Sequence, residues 1–267
     1  MTSGSTDRDI ETARFSSWDD IVGNYYLKRH LHAMVKSIAG PSKGQGVNTG
    51  ITGGSRTGKT ASAEFAIAAM LCRDVQKDTW TPCGKCELCL QNAARDHHVL
   101  LEVYRWGGDE RDLQFVPIDG NNATASDIDR ALAWSAGQEG RWLYYIDEIQ
   151  GLVRRNLDEA LYKAVEQRRH ITWIITTATT KGLDKMLWNR FTEVSTELPS
   201  VQELALYLAR RCRHYGITWD EDETILRLAV RSGQIVGKAL KVLAMAKMFG
   251  GTLSGDIVDH YVFDREM

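Results

Sequence analysis

The sequence predicts an α/β fold, a parallel sheet flanked by helices, with a small all-helical domain at its C-terminal end. Three observations carry this expectation. Nearly continuous apolar runs such as RWLYYIDE and HITWIITTAT suit strands covered on both faces. Helical patterns alternate with such strands through Thr180. From Pro199 onward the strand-like runs stop, and amphipathic stretches follow one another. The 267 residues fit one substantial domain and a small appendage, and 43% hydrophobic with 25% charged residues provide an ordinary globular core.

Taken in order, residues 1–15 are polar and lack periodicity, so they read as a flexible tail. A helix follows from about Asn24 to Ile38, and the turn chemistry of GPSKGQG ends it. VNTGITGG is a short buried strand running into a glycine-rich turn, and TASAEFAIAAMLC is an alanine-rich helix suited to tight packing on a sheet. VLLEVY and LQFVPID are the next strands, SDIDRALAWSA a helix, RWLYYIDE a strand, LDEALYKAVEQ a helix and HITWIITTAT a strand. VQELALYLARRCRHYG, DEDETILRLAVRS and VGKALKVLAMAKMFG form three amphipathic helices. The expected division is a core over 16–198 and a helical domain over 199–267.

Charge, hydropathy and cysteines bound the function. No run approaches the roughly 18 apolar residues of a membrane span, and MTSGSTDRDIETARF lacks the apolar stretch of a signal peptide. The chain reads as soluble and cytoplasmic, with no membrane partner. A formal charge of -2 and a pI of about 6.4 argue against nucleic-acid binding through global basicity and leave a local basic surface open. Four of the five cysteines lie between Cys72 and Cys89, a spacing that in a reducing compartment suggests a metal before disulfides.

The strongest motif is Gly53-Gly54-Ser55-Arg56-Thr57-Gly58-Lys59-Thr60, which fits G-x-x-x-x-G-K-[ST] between a predicted strand and a predicted helix. Small residues let backbone N–H groups converge on phosphate oxygens, and the helix that follows offers its positive end. Lys59 would reach the β/γ-phosphates of ATP, and Thr60 would coordinate Mg²⁺. Leu143-Tyr144-Tyr145-Ile146-Asp147-Glu148 is an apolar strand ending in two carboxylates. Alone this is an ordinary solvated edge. Beside a phosphate loop, Asp147 would hold the Mg²⁺ and Glu148 would orient or deprotonate the attacking water. Thr176, Thr177, Thr179 and Thr180 end the next strand; they suit β-structure in any case, and Thr177 is the favoured sensor of the γ-phosphate. Arg190, in LWNRFTEV, is either a surface residue or a finger that completes a neighbouring subunit's site.

The order of these motifs resembles the AAA+ ATPases of the clamp-loader family, within it the bacterial DNA polymerase III gamma/tau subunits. The deciding residues are Cys72 and the run Thr81-Pro82-Cys83-Gly84-Lys85-Cys86-Glu87-Leu88-Cys89, which is similar to the zinc module this family inserts after its first helix. Cys72, Cys83, Cys86 and Cys89 would then supply four thiolates to a tetrahedral Zn²⁺, in a module over 72–89. Cys212 reads as a core residue, and His97 and His98 as structural or surface residues. The resemblance covers about Phe15 to Phe249. It implies that FSSWDDIVGN is the family's N-terminal box, with Ile21, Val22 and Gly23 near the adenine. It also puts WIITTATTKGLDKMLWNRF on the sensor-1 strand and finger segment, with Arg190 at the finger, and makes the domain after Pro199 a lid.

Three positions depart from that pattern. Asn189-Arg190-Phe191 stands where the family has S-R-C, Gly237 or Val236, followed by Lys238, stands at the sensor-2 arginine, and Ala123 and Ala125 stand where basic residues face DNA. Arg154 and Arg155 are either replacements or a solvated face. Trp106, in the insertion YRWGGDERDLQ, either folds back onto its own domain or anchors a partner. After Phe249 only GGTLSGDIVDHYVFDREM remains, too short for the collar of gamma/tau loaders. The resemblance implies a MgATP-hydrolysing subunit, joined to itself or to homologous AAA+ subunits, that loads a sliding clamp on primed DNA with other replication proteins. Alternatives are another AAA+ nucleic-acid switch, such as a helicase loader or a transposition target-selection ATPase, and a non-hydrolysing structural subunit.

Overall fold

The computed structural model describes residues 10, 15–41, 44–87, 89–90, 113–136 and 140–260. The predicted strand VLLEVY, Trp106, His97 and His98 lie outside the described residues. The chain forms two compact units, one of residues 26–54 and 59–196, the other of residues 1–25, 55–58 and 197–267. Residues 16–25 and four residues of the glycine-rich loop thus group with the helical unit.

In the sheet unit, α1 (Tyr25–Ala39) leads to β1 (Thr49–Thr52), and the glycine-rich loop leads to α2 (Lys59–Leu71). Then come β2 (Leu113–Asp119), α3 (Ala125–Ser135), β3 (Arg141–Asp147), α4 (Gln150–Val153), α5 (Glu159–Gln167) and β4 (Ile171–Thr177). Last are α6 (Lys185–Trp188) and β5 (Thr192–Ser195). The five strands are all parallel, in the order β2-β3-β4-β1-β5. All seven residues of β4 are buried, as its unbroken apolar and threonine sequence requires of a central strand. β5 was not anticipated: with only Val194 buried in TEVS, it has neither length nor alternation enough to register as a strand. It forms one edge, and β2, which carries Pro117, forms the other among the described residues. Proline donates no ladder hydrogen bond and is tolerated at such an edge.

One face of the sheet presents Val116, Ile118, Tyr144, Ile146, Trp173 and Ile175 to a core completed by Ile128 and Leu132 of α3 and Leu161 and Val165 of α5. The period of two along each strand sets these side chains on a common face, and the 3.6-residue period of the helices matches them. α3 begins at a capping box, in which Thr124 and Asp127 satisfy each other's backbone N–H groups. On α2, nine of thirteen residues are buried, including Phe65, Ile67 and five alanines or serines, so the helix backbone comes close to its neighbours.

The helical unit contains α7 (Val201–Tyr215), β6 (Thr218–Trp219), α8 (Asp222–Arg231), α9 (Val236–Met248), β7 (Thr252–Leu253) and α10 (Gly255–His260). Three of these helices were expected. α10 adds a fourth, six residues long and so too short to show periodicity in the sequence. Ser200 and Glu203 cap α7 reciprocally. Leu204, Tyr207, Leu208, Cys212, Ile225, Leu228, Leu240, Leu243 and Val258 form one core, which Val22 and Ile10 join. Ile10 is the only residue of the polar 1–14 stretch among those described, and it is buried. Cys212 is buried as expected, and burial pushes its thiol up to about 11.

Candidate functional site

The parallel register brings Thr52, Asp147 and Thr177 together at the carboxyl ends of neighbouring strands. Thr52, which leads into the glycine-rich loop, pairs with Thr177 at the end of β4, and Asp147 ends β3 beside Asp119 of β2. Groups at the carboxyl ends of such strands line the crevice where open α/β sheets take ligands.

The loop itself needs its glycines. Gly53 has φ 144°, and a Cβ there would fall 1.8 Å from Thr196 Oγ1. Arg56 takes the left-handed backbone at φ 62°, which costs a side-chain-bearing residue about 1 kcal/mol. Lys59 opens α2 and is buried, with its Nζ donating to the carbonyls of Gly53 at 2.8 Å and Gly54 at 2.7 Å. Burial pushes its ammonium below the ordinary lysine range, against the opposing pull of Glu148 and Asp147. A cation so placed is strengthened as a partner for phosphate by its poor hydration.

Asp147 is the hub of the site. Its Oδ1 accepts from Thr60 Oγ1 at 3.0 Å, Tyr145 OH at 2.9 Å and Thr176 Oγ1 at 2.5 Å. Burial, and then the charge of Asp147, push the Tyr145 phenol well above its usual range, so it remains a donor. Neighbouring oxygens around an octahedral Mg²⁺, bonded at about 2.1 Å, lie about 3.0 Å apart. Thr60 and Asp147 meet that spacing and offer the hard oxygen donors the ion takes. Glu148 follows in the left-handed region at φ 57°; its N–H donates to Thr176 Oγ1 at 3.0 Å and its carboxylate accepts from Gln150 Nε2. Thr177 is fully buried, with its hydroxyl on Gln150 Oε1 at 2.7 Å and on the Thr179 carbonyl at 2.6 Å. Tyr145 and Gln150 were missed in the sequence, since a tyrosine in a strand and a glutamine after one are ordinary there; Thr176 stood among the four clustered threonines, but Thr177 was the one favoured.

The N-terminal segment has its own anchor. Ile21 and Val22 are buried, and Gly23 has φ 62°. Asn24, buried and left-handed at φ 50°, donates from Nδ2 to the Val22 carbonyl at 3.2 Å and the Thr57 carbonyl at 3.4 Å, and accepts the Glu197 N–H at 2.7 Å. This asparagine, which the sequence reading passed over, pins the segment to the loop residue Thr57. At the position expected to carry a sensor-2 residue, a Cβ on Gly237 would lie 2.9 Å from Arg56 Cβ, and the Gly237 N–H points at the Arg56 carbonyl at 3.4 Å. Arg56 of the loop crowds the space a side chain on Gly237 would need.

Arg190 follows α6 and pairs with Glu166 of α5, and the Tyr162 hydroxyl, then Glu166, hold its guanidinium more firmly protonated than usual. Arg155 is exposed, and its guanidinium donates to the carbonyls of Gly151, Ala123 and Gly120, so it braces the turn after β2 against α4. Ala123 is buried.

Beyond α2, the sulfurs of Cys72, Cys83, Cys86 and Cys89 all lie within 4.8 Å of one another, and none is in a disulfide. Cys72 and Cys89 are 3.8 Å apart; Cys72 and Cys86, and Cys83 and Cys89, are 4.0 Å apart. Tetrahedral Zn²⁺ with bonds of about 2.3 Å sets its sulfurs about 3.8 Å apart, so the four cysteines fit this ion. Hydrogen bonding from Cys89 draws the Cys72 thiol down to about 5, and the same contact pushes Cys89 up, as expected when crowded thiols share protons. The N–H of Cys83 donates to the Cys72 sulfur at 3.2 Å and that of Cys86 to the Cys83 sulfur at 3.3 Å, the pattern that stabilises thiolate ligands.

No protein-family model matches the sequence, and none of the curated proteins does. Among solved structures the chain is similar to RuvB of Thermotoga maritima, a Holliday junction branch migration motor, with 18% identity over 92% of this chain and 70% of that one and a TM-score of 0.62. It is also similar to the Orc1 protein of Aeropyrum pernix in complex with DNA, with 14% identity over 97% of this chain and 69% of that one and a TM-score of 0.63. The parallel five-stranded sheet, its flanking helices and the C-terminal helical region are those of the P-loop AAA+ fold. No helix among the described residues is long and apolar enough to cross a membrane.

Proposed function

We propose that the chain is an ATP-hydrolysing AAA+ module that works on DNA in an oligomer, and that its specific role is that of a clamp-loader-type subunit. The observation that carries the ATPase reading is the 3.0 Å contact between Thr60 and Asp147, with Lys59 within electrostatic reach of both Asp147 and Glu148. Backbone N–H groups from Gly53 to Gly58, together with Lys59, bind the β/γ-phosphates. Ile21, Val22 and Gly23 flank the adenine. Thr60 and Asp147 hold Mg²⁺, which when bound neutralises charge on the phosphate oxygens. Glu148 takes a proton from water as the water oxygen attacks the γ-phosphorus and the bond from that phosphorus to the β–γ bridging oxygen breaks, giving ADP and inorganic phosphate, and Arg190 stabilises the charge that develops in a neighbouring subunit's site. Thr177 registers the γ-phosphate. Zn²⁺ on Cys72, Cys83, Cys86 and Cys89 holds its module together without entering the reaction.

ATP turnover of Lys59→Ala, Glu148→Gln and Arg190→Ala tests this reading, and normal rates in all three overturn it. The clamp-loader role draws on the cysteine run and on the order of motifs. A second reading, a DNA-acting switch or motor that needs no clamp, draws support from the RuvB and Orc1 likenesses. Turnover stimulated only when sliding clamp and primed DNA are both present supports the loader. Stimulation by DNA alone supports the second reading.

A further inference from the structure

Glu148 is joined to the end of β4 through a side chain that the proposed mechanism leaves unused. Gln150 Nε2 donates to the Glu148 carboxylate, and Gln150 Oε1 accepts from Thr177 Oγ1 at 2.7 Å. Gln150 and Thr177 are both buried. A carboxylate only accepts, so it fixes the amide: the NH₂ faces Glu148 and the oxygen faces Thr177. Thr177 has one hydroxyl proton and two acceptors for it, Gln150 Oε1 and the Thr179 carbonyl at 2.6 Å, while its oxygen accepts the Thr179 N–H at 3.2 Å. One proton cannot serve both acceptors. Given to Gln150, it anchors the amide at both ends and Glu148 with it. Given to Thr179, it leaves Gln150 held at one end only.

The choice follows the turn after β4, where Ala178, Thr179 and Thr180 are exposed. That turn lies at the sheet edge beside the start of the glycine-rich loop, since Thr177 is in register with Thr52. Glu148 depends on outside restraint because its backbone is left-handed, a conformation that persists in a non-glycine residue only when its surroundings impose it. Thr176 restrains its N–H, and Gln150 restrains its carboxylate.

We infer that Gln150 is a positioning residue that aims the Glu148 carboxylate and makes this aim depend on the Thr177–Thr180 turn. The inference rests on the reading of Glu148 as the base in ATP hydrolysis. Gln150 touches neither nucleotide nor attacking water and acts only through Glu148. A turn that closes on a bound γ-phosphate changes which acceptor Thr177 serves, and the base follows.

Steady-state ATP turnover of the full chain, across ATP concentration and pH, tests this. Gln150→Leu keeps the bulk and loses both bonds; kcat falls about tenfold or more while KM for ATP stays within about twofold. Thr177→Val, which removes the shared proton, gives the same split, and Thr177→Ser recovers most of the kcat. Gln150→Glu sets a second carboxylate against Glu148, and two such charges resist joint ionisation, so the acid limb of the kcat–pH profile moves up by about one unit or more. A residue that only fills the core would lower the melting temperature and leave that limb in place. Should Gln150→Leu fail to fold, the Thr177 pair and the Gln150→Glu profile carry the test. Wild-type kcat in Gln150→Leu and Thr177→Val, with an unmoved limb in Gln150→Glu, overturns the inference while Glu148→Gln remains inactive. A fully active Glu148→Gln overturns the proposed function itself, and this inference with it.

Discussion

Tyr207 lies in the core of the helical unit, fully buried, with a hydroxyl that has no hydrogen-bond partner. Burial pushes its phenol up to about 12, as it does that of Tyr144. Both folded values stand above the unfolded value of about 10, so stability is unaffected by these groups' ionisation below pH 10 and falls as the pH rises through about 12, by about 2 to 3 kcal/mol for each. Tyr207→Phe keeps the ring under the Arg211 guanidinium, 5.6 Å from its centroid, and removes an unsatisfied group. We expect it to raise stability by about 1 kcal/mol at neutral pH and to flatten the alkaline loss, both measured by urea unfolding at neutral pH and near pH 11. At this scale the sequence was readable where a spacing encodes the chemistry, as at Lys59, Thr60 and Asp147. It was silent at Asn24, Tyr145 and Gln150, and gave Thr176 only as one of four clustered threonines, because their roles come from strand register and from turns that bring distant residues together.

Among the elements, the cysteine module and the start of α9 each carry a measurable expectation. With four sulfurs at tetrahedral spacing, the protein is expected to carry one zinc per chain by atomic spectroscopy. Cys86→Ser, or prolonged chelation, should abolish the zinc and cost about 2 kcal/mol or more, lowering the melting temperature by roughly 5 °C. At α9, Gly237→Arg is expected not to install a sensor but to collide with Arg56, costing about 1 to 3 kcal/mol and weakening ATP binding measured by calorimetry. Long strands with apolar or threonine runs, such as β3 and β4, were legible because burial on both faces leaves no other residue choice. β5 and α10, of four and six residues, were not, because a period needs more length than they have.

For the molecule as a whole, the proposed oligomer makes turnover depend on protein concentration, with Arg190 as the residue that crosses between copies. Arg190→Ala should lower kcat by roughly a thousandfold with KM little changed. Mixing it with Lys59→Ala should recover part of the activity, because in mixed assemblies an intact phosphate loop meets an intact arginine. Recovery is read as ATP turnover in excess of the sum of the separate variants. The ion pair of Arg190 with Glu166 is half exposed and weakly held, so it does not oppose that exchange strongly. The alternating strand and helix order foretold the architecture, whereas the short β5 that completes the sheet was left to the tertiary structure. The edges of that sheet have a consequence for how the protein behaves when crowded. Pro117 withholds a donor on β2, and β5 offers only a short, polar rim of Thr192, Glu193 and Ser195. Among the described residues these rims offer another chain's backbone little to pair with, so misassociation into fibres is disfavoured.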